Sequence, residues 1–194
     1  MGLTGAQAAE RVLHGAGIYD VRIERVAGNL TDHYDPRNKV LRLSDATYGQ
    51  CSVAAVGVAA HECGQAIQHA RGYAPLQFRS ALVPVANFGS MIAWPLIVLG
   101  LFINSQSSAL LINIGILAFS LAVLFQLVTL PVEYNASGRA VRILAETGMM
   151  QGEEIVATKK VLNAAALTYV ASAAAAILQL VRILILTGGR RRDD

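Results

Sequence analysis

No Asp, Glu, Lys or Arg occurs between Arg79 and Glu133, and that one interval decides the class of fold open to the chain. A membrane-spanning helix needs roughly 20 consecutive apolar residues, so two fit inside it. In lipid every backbone amide must find its partner within the protein, which leaves helices as the natural element for such a stretch. The polar run Asn104-Ser105-Gln106-Ser107-Ser108 divides the interval into a segment near Leu82–Ile103 and another near Ala109–Leu130, which reads as a helical hairpin. A third segment runs from about Val161 to Leu186. It is interrupted only by Arg182, close enough to its end for the guanidinium to snorkel toward headgroups. The small-residue run Ala171-Ser172-Ala173-Ala174-Ala175-Ala176 suits close helix packing in lipid. Pro95 is predicted to kink the first segment, and Trp94 beside it reads as a packing or lipid-facing residue. Composition agrees: of 194 residues 54% are hydrophobic and 15% charged, against about 25% charged in soluble domains, which excludes an ordinary soluble domain. The net charge of +3 is explained by juxtamembrane Lys and Arg, and nothing suggests a nucleic-acid partner.

The flanking sequence is organised differently. Residues 1–20 lack an apolar core long enough for a cleavable signal peptide. Thr4-Gly5-Ala6-Gln7 forms a capping-box start for a short amphipathic helix through about His14, stopped at Gly15 and Gly17. Val21, Ile23 and Val26 then alternate with charged residues, and Val40, Leu41 and Leu43 follow a turn at Asp35-Pro36-Arg37-Asn38. Residues 20–44 therefore read as a small β-hairpin or meander. A helix is expected from Ser52 to about Arg71 with Gly72 as its stop, and another over 133–147, beginning at Glu133 directly after the second span. The expected organisation is 1–80 as an N-terminal part with the β-hairpin and the helix from Ser52, 81–132 as the membrane hairpin, 133–160 as a helix and connector, and 161–194 as a span with a basic tail.

The helix from Ser52 carries His61-Glu62-Cys63-Gly64-Gln65, one residue short of a zinc-protease motif. In H-E-x-x-H two imidazoles four residues apart project from one helical face onto one Zn²⁺, and the Glu reaches the metal-bound water. Here Gln65 stands in the second position. A carboxamide oxygen is a neutral, weak donor, whereas zinc sites are built from imidazole, thiolate and carboxylate. Burying His61 and Glu62 in an otherwise apolar helix is costly unless both find partners, and a metal is a natural one, although structural histidines in helices are common. Glu133, where the hairpin returns, is the candidate third ligand. Its bland alternative is an interfacial charge paired with Arg139 or Arg142. Cys63 lies two residues from His61 and reads as a small buried filler; Cys51 and Cys63 form no zinc-finger or redox spacing. His69 lies about 12 Å along the helix from His61, too far to share an ion. His14 reads as a surface residue, and His33 and Tyr34 as substrate-binding or outer-shell candidates.

Over LTDHYDPRNKVLRLS, AAHECGQAIQHARGYAPLQFRSALVPVANFGS, LPVEYNASGRA and KVLNAAALTYVA the chain resembles the YugP-like family of membrane zinc metallopeptidases. The resemblance runs over nearly the whole chain. Together with the reading of the residues above, the expected fold is a mainly α membrane protein with a zincin-like HExxH helix, a small β-hairpin or meander and about three transmembrane helices. The resemblance implies His61 as a ligand, position 65 as the second, Glu133 as the third, Glu62 as general base, and distant kinship to HtpX-type and CAAX-protease-like membrane gluzincins. It places the loop of His33 near the cleft, with Asn135 beside Glu133 as a further substrate or outer-shell candidate. Two departures stand out. The family has His where this chain has Gln65, and it has an N-terminal hydrophobic segment not seen before Gly2. The implied cofactor is Zn²⁺, weakly held or absent in this chain. The implied activity is endopeptidase action on membrane or membrane-proximal polypeptides, impaired at position 65, with an inactive pseudoprotease acting as a membrane chaperone or regulator as the alternative. A small channel or structural membrane protein is a third reading. Expected partners are a polypeptide substrate and membrane lipids, with a membrane-protein partner or a second copy of the chain as further options. The expected location is a bacterial cell membrane. By the positive-inside count, Arg71, Arg79, Arg139, Arg142, Lys159 and Lys160 turn the site to the cytoplasm, while Arg190-Arg191-Arg192 argue against it.

Overall fold

Local signals set the first elements of the chain, as a computed structural model describes them over residues 2–103 and 107–188. Helix α1, Gly5–Gly15, starts where the Thr4 hydroxyl accepts from Gln7 N–H and the Gln7 side-chain Oε1 accepts from Thr4 N–H, a reciprocal capping box. Strands β1, Arg22–Val26, β2, His33–Asp35, and β3, Val40–Ser44, follow, then a single helical turn α2, Asp45–Tyr48. Helix α3, Val53–Ala70, begins under the Ser52 hydroxyl, which accepts from Ala55 N–H, and is stopped by Gly72 at φ +62°, a backbone region that costs a side-chain-bearing residue energy. Three long helices complete the chain: α4, Ala74–Phe102, α5, Ser107–Glu146, and α6, Glu153–Gly188.

The sheet has the order β1-β3-β2. The hairpin expected around Asp35–Asn38 is β2 with β3, antiparallel, with Tyr34 opposite Leu41. β1, however, pairs parallel to β3, so the strands do not run as a meander. Strand alternation records which residues face the core but not which edge a strand joins, and β3, apolar along most of its length, takes the central place.

Cα packing divides the molecule into two units. The first comprises residues up to Leu76 together with 131–167. Its core joins Val12 and Leu13 of α1, Leu41 and Leu43 of β3, Val56 and Ile67 of α3, and Ala140 and Leu144 of α5. Each fully buried aliphatic side chain there contributes about 1.5–3 kcal/mol. The second unit comprises 77–130 together with the described part of 168–194. Within it α4 and α5 approach closely: a Cβ added at Gly89 would lie 2.6 Å from the Ala118 carbonyl oxygen.

All three long helices are apolar and long enough to cross a membrane. Pro84 and Pro95 lie inside α4 and Pro131 inside α5. The sequence places a new helix start at Glu133, whereas α5 continues through Pro131 to Glu146. Proline removes one backbone donor, a loss that neighbouring groups and a small local adjustment can absorb in a membrane helix. Glu133 is therefore carried on the same rod as the span. Trp94 is partly exposed. The polar positions 104–106 and the basic tail 190–192 lie outside the described residues.

Candidate active site

Helix α3 and the part of α5 beyond Pro131 meet backbone to backbone. Gly64 makes this possible: a Cβ there would come within 2.5 Å of the Ala136 carbonyl oxygen. The approach brings His61 of α3 against Glu133 and Ser137 of α5. His61 Nε2 lies 3.0 Å from Glu133 Oε2, and His61 Nδ1 lies 3.0 Å from Ser137 Oγ. An ionised carboxylate only accepts, so with Glu133 ionised Nε2 carries the imidazole proton and the Ser137 hydroxyl donates to Nδ1. Gln65, one helical turn after His61, donates from its amide nitrogen to Glu133 Oε1 at 3.3 Å. Glu133 is almost fully buried, 2% exposed, so these donors are what make its charge tolerable.

Glu62 is also buried, and its Oε2 has no hydrogen-bond partner among the described residues. Loss of solvent raises its pKa from 4.5 to about 7; positive charge on His61, when it is protonated, would oppose the rise, and Glu133 and Asp32 add to it. The result is a carboxyl group able to exchange a proton near neutral pH.

Two further hydrogen bonds hold the two helices in register. Gln68, two turns from His61 on the same face of α3, donates to the Val132 carbonyl at 2.9 Å and to Asn135 Oδ1 at 3.0 Å. Asn135 Oδ1 also accepts from Arg139 Nε at 2.7 Å, and the Arg139 guanidinium lies over the Tyr73 ring. Asn135 thus contacts its neighbours in the frame around the site. Tyr34 Oη is bonded to His69 Nδ1 at 2.9 Å, which links the sheet to the last turn of α3. His33 is exposed, with Nδ1 2.8 Å from the Thr31 carbonyl. Asp32 accepts from Ser44 N–H and Oγ–H. Cys63 is fully buried, its thiol directed at the Ala9 carbonyl, whereas Cys51 is exposed. His14 is exposed and faces the Tyr19 ring. Ser137 and Gln68 received no role from sequence. The available signals were a hydroxyl four residues after Glu133 and an amide seven after His61, each on the face already implicated.

The arrangement can be tested against a zinc ion through its donors. His61, Gln65 and Glu133 converge, yet they supply one imidazole, one carboxylate and one carboxamide whose nitrogen faces the carboxylate. Among the described residues no group of three His, Cys, Asp or Glu side chains is placed to hold a metal. A catalytic zinc takes three such donors, so the set does not fit one.

A His-Glu helix meeting a buried carboxylate on a long apolar helix is a polar site in a chain whose class its family and relatives give as that of membrane metallopeptidases. The chain belongs to the family described as "Putative neutral zinc metallopeptidase", which matches residues 1–188. It is 47% identical over 190 residues to the protein of Bacillus subtilis (strain 168) named "Putative membrane protease YugP", an alignment covering 97% of this chain and 83% of that relative. No solved structure matches it.

Proposed function

We propose that this protein is a membrane-embedded member of the zinc peptidase family whose site binds polypeptides at or near the bilayer surface, with hydrolysis strongly impaired by Gln65. The observation that carries this reading is the convergence of His61, Gln65 and Glu133 beside a buried, half-unpartnered Glu62. The framework of a peptidase site is kept while one donor is chemically wrong for zinc. Glu62 is the group to take a proton from an attacking water and return it to the leaving amine. His61 and Glu133 are the retained ligand positions, and Ser137 fixes the imidazole from behind. Asn135 acts through Gln68 and Arg139, and Tyr34 through His69, while His33, exposed on β2, is the candidate on the substrate side. The proposed orientation turns this site to the cytoplasm, on the side of the flanking Arg and Lys residues.

One observation favours the alternative of an inactive polypeptide-binding chaperone or regulator. The Gln65 amide satisfies Glu133 by hydrogen bonding, an arrangement that needs no ion.

Zinc content and peptidase activity of the detergent-purified protein beside Gln65→His test the choice. The expected result is well under one zinc per chain in the parent and close to one in the variant. Affinity should rise by more than about tenfold, the scale that even the outer partners of metal ligands carry. Peptide hydrolysis should appear with it, and adding Glu62→Gln should abolish hydrolysis while leaving zinc bound. Equal zinc and equal activity in parent and Gln65→His would refute the impairment. Zinc uptake without hydrolysis would favour the chaperone or regulator.

A further inference from the structure

A cleft of about 520 Å³ runs between the end of α5 and the start of α6, wholly within the first unit. One α5 face supplies Tyr134, Ser137, Val141 and Arg142, and α6 supplies Lys159 and Leu162. Its size is that of a ligand site. Two features mark it as more than a surface crease. First, Ser137, whose hydroxyl bonds His61, is among the residues that line the cleft, so the cleft adjoins the candidate active site. Second, Arg142 and Lys159 line the same cleft, are both exposed, and have no ion-pair partner among the described residues. Two like charges facing one cleft repel each other until an anion joins them. Val141 and Leu162 add apolar wall between the charges and the Tyr134 end.

We propose that this cleft receives an extended, acidic polypeptide segment, its carboxylates held by Arg142 and Lys159 and its apolar side chains on Val141 and Leu162. The proposal rests on the polypeptide-binding reading above and names where the chain lies. From Tyr134 to Ala145 the α5 face is about 16 Å long, which accommodates roughly five residues of extended chain. A segment so placed passes Ser137 and reaches the neighbourhood of His61, a path that a lipid headgroup does not need. Its recognition is electrostatic at one end and apolar along its length, so acidic, membrane-proximal segments are the preferred class.

The experiment uses full-length protein in zwitterionic-lipid nanodiscs and a fluorescein-labelled decapeptide alternating Leu and Glu, with the Leu-Gln decapeptide as its neutral counterpart. Binding is read by anisotropy, and contacts by a photo-crosslinking residue in the peptide. Arg142→Gln with Lys159→Gln is expected to weaken the acidic peptide about tenfold, the scale of two exposed charge contacts, and to leave the neutral one unchanged. Arg142→Lys with Lys159→Arg should restore the affinity, which separates lost charge from lost folding. Crosslinks should fall on residues 134–145 and 155–163. Unchanged affinity in the Gln pair, or crosslinks confined to α3 and the sheet, would overturn the cleft assignment while leaving polypeptide binding standing. Absence of binding by either peptide would remove the polypeptide reading itself. If the Gln pair alters only the response to added anionic phospholipid, the occupant is a lipid and the proposal fails.

Discussion

At the scale of single residues, the site is a set of buried polar groups whose worth lies in mutual satisfaction. Ser137 touches no reacting group, yet it is placed to donate to the imidazole that faces Glu133. In the Gln65→His background, Ser137→Ala is expected to lower zinc affinity by about 10–100-fold, as removal of a ligand's outer partner does, and to cost about 1 kcal/mol of stability. Competition with a chelator measures the first and thermal unfolding the second; unchanged affinity would show that Ser137 does not orient His61. A second residue-scale prediction concerns the β2–β3 turn. Asn38 through its side chain and backbone, then Arg42 and Arg37, hold Asp35 down from 3.8 to about 2. A depressed carboxyl stabilises the fold above its unfolded pKa and loses that contribution as pH falls through its folded one. The turn should therefore be intact above about pH 4 and loosen toward pH 2. Amide hydrogen exchange at Asn38 reads this, and Asp35→Asn should remove the acid dependence.

At the scale of elements, the meeting of α3 and α5 is what makes a site of residues 72 positions apart in sequence. The contact depends on the absence of a side chain at Gly64. With Gly64→Ala the new Cβ meets the Ala136 backbone, which cannot rotate away, so the helices must separate. Alanine gains about 1 kcal/mol of helix propensity over glycine, but overpacking of this kind costs about 1–3 kcal/mol, so the variant should unfold earlier or at best break even. Its distinctive signature is local: a spin-label distance from α3 to the 133–137 segment should lengthen, and an unchanged distance would refute the close-packing role. Such a contact explains what could be read in advance and what could not. Thr4-Gln7 and Ser52 announce helix starts because capping is local, and His61 and Glu133 announce themselves as chemistry because each is costly in apolar surroundings. The parallel pairing of β1 with β3 was hidden because it is a property of distant partners, as was the role of Gln68, whose acceptors lie on another helix. Pro131 misled in the opposite sense. It reads as a boundary in any sequence, whereas the helix runs through it and ties Glu133 to the span.

At the scale of the whole molecule, three helices are long and apolar enough to cross a membrane. α4 follows the first unit in the chain and α5 leads back into it, so if both cross the bilayer the residues before α4 and those after Pro131 are expected on one face of the membrane. The cytoplasmic orientation proposed above rests on charge alone, on Arg71, Arg79, Arg139, Arg142, Lys159 and Lys160 near the spans, with Arg190-Arg191-Arg192 counting against it. The two thiols give a way to check this without altering the spans. Cys51 is exposed at the turn before α3, and Cys63 is fully enclosed between α3 and α1, where burial also pushes its thiol pKa well up and suppresses the reactive thiolate. Only Cys51 should react with a maleimide in the folded protein, and Cys51→Ser should abolish that labelling until the protein is denatured. With a membrane-impermeant maleimide, a cytoplasmic site means protection in intact cells and rapid labelling in inverted vesicles. Labelling of Cys51 in intact cells would turn the site outward, so that the polypeptides reaching the His61 helix and the Arg142–Lys159 cleft would be those displayed on the outer face of the membrane.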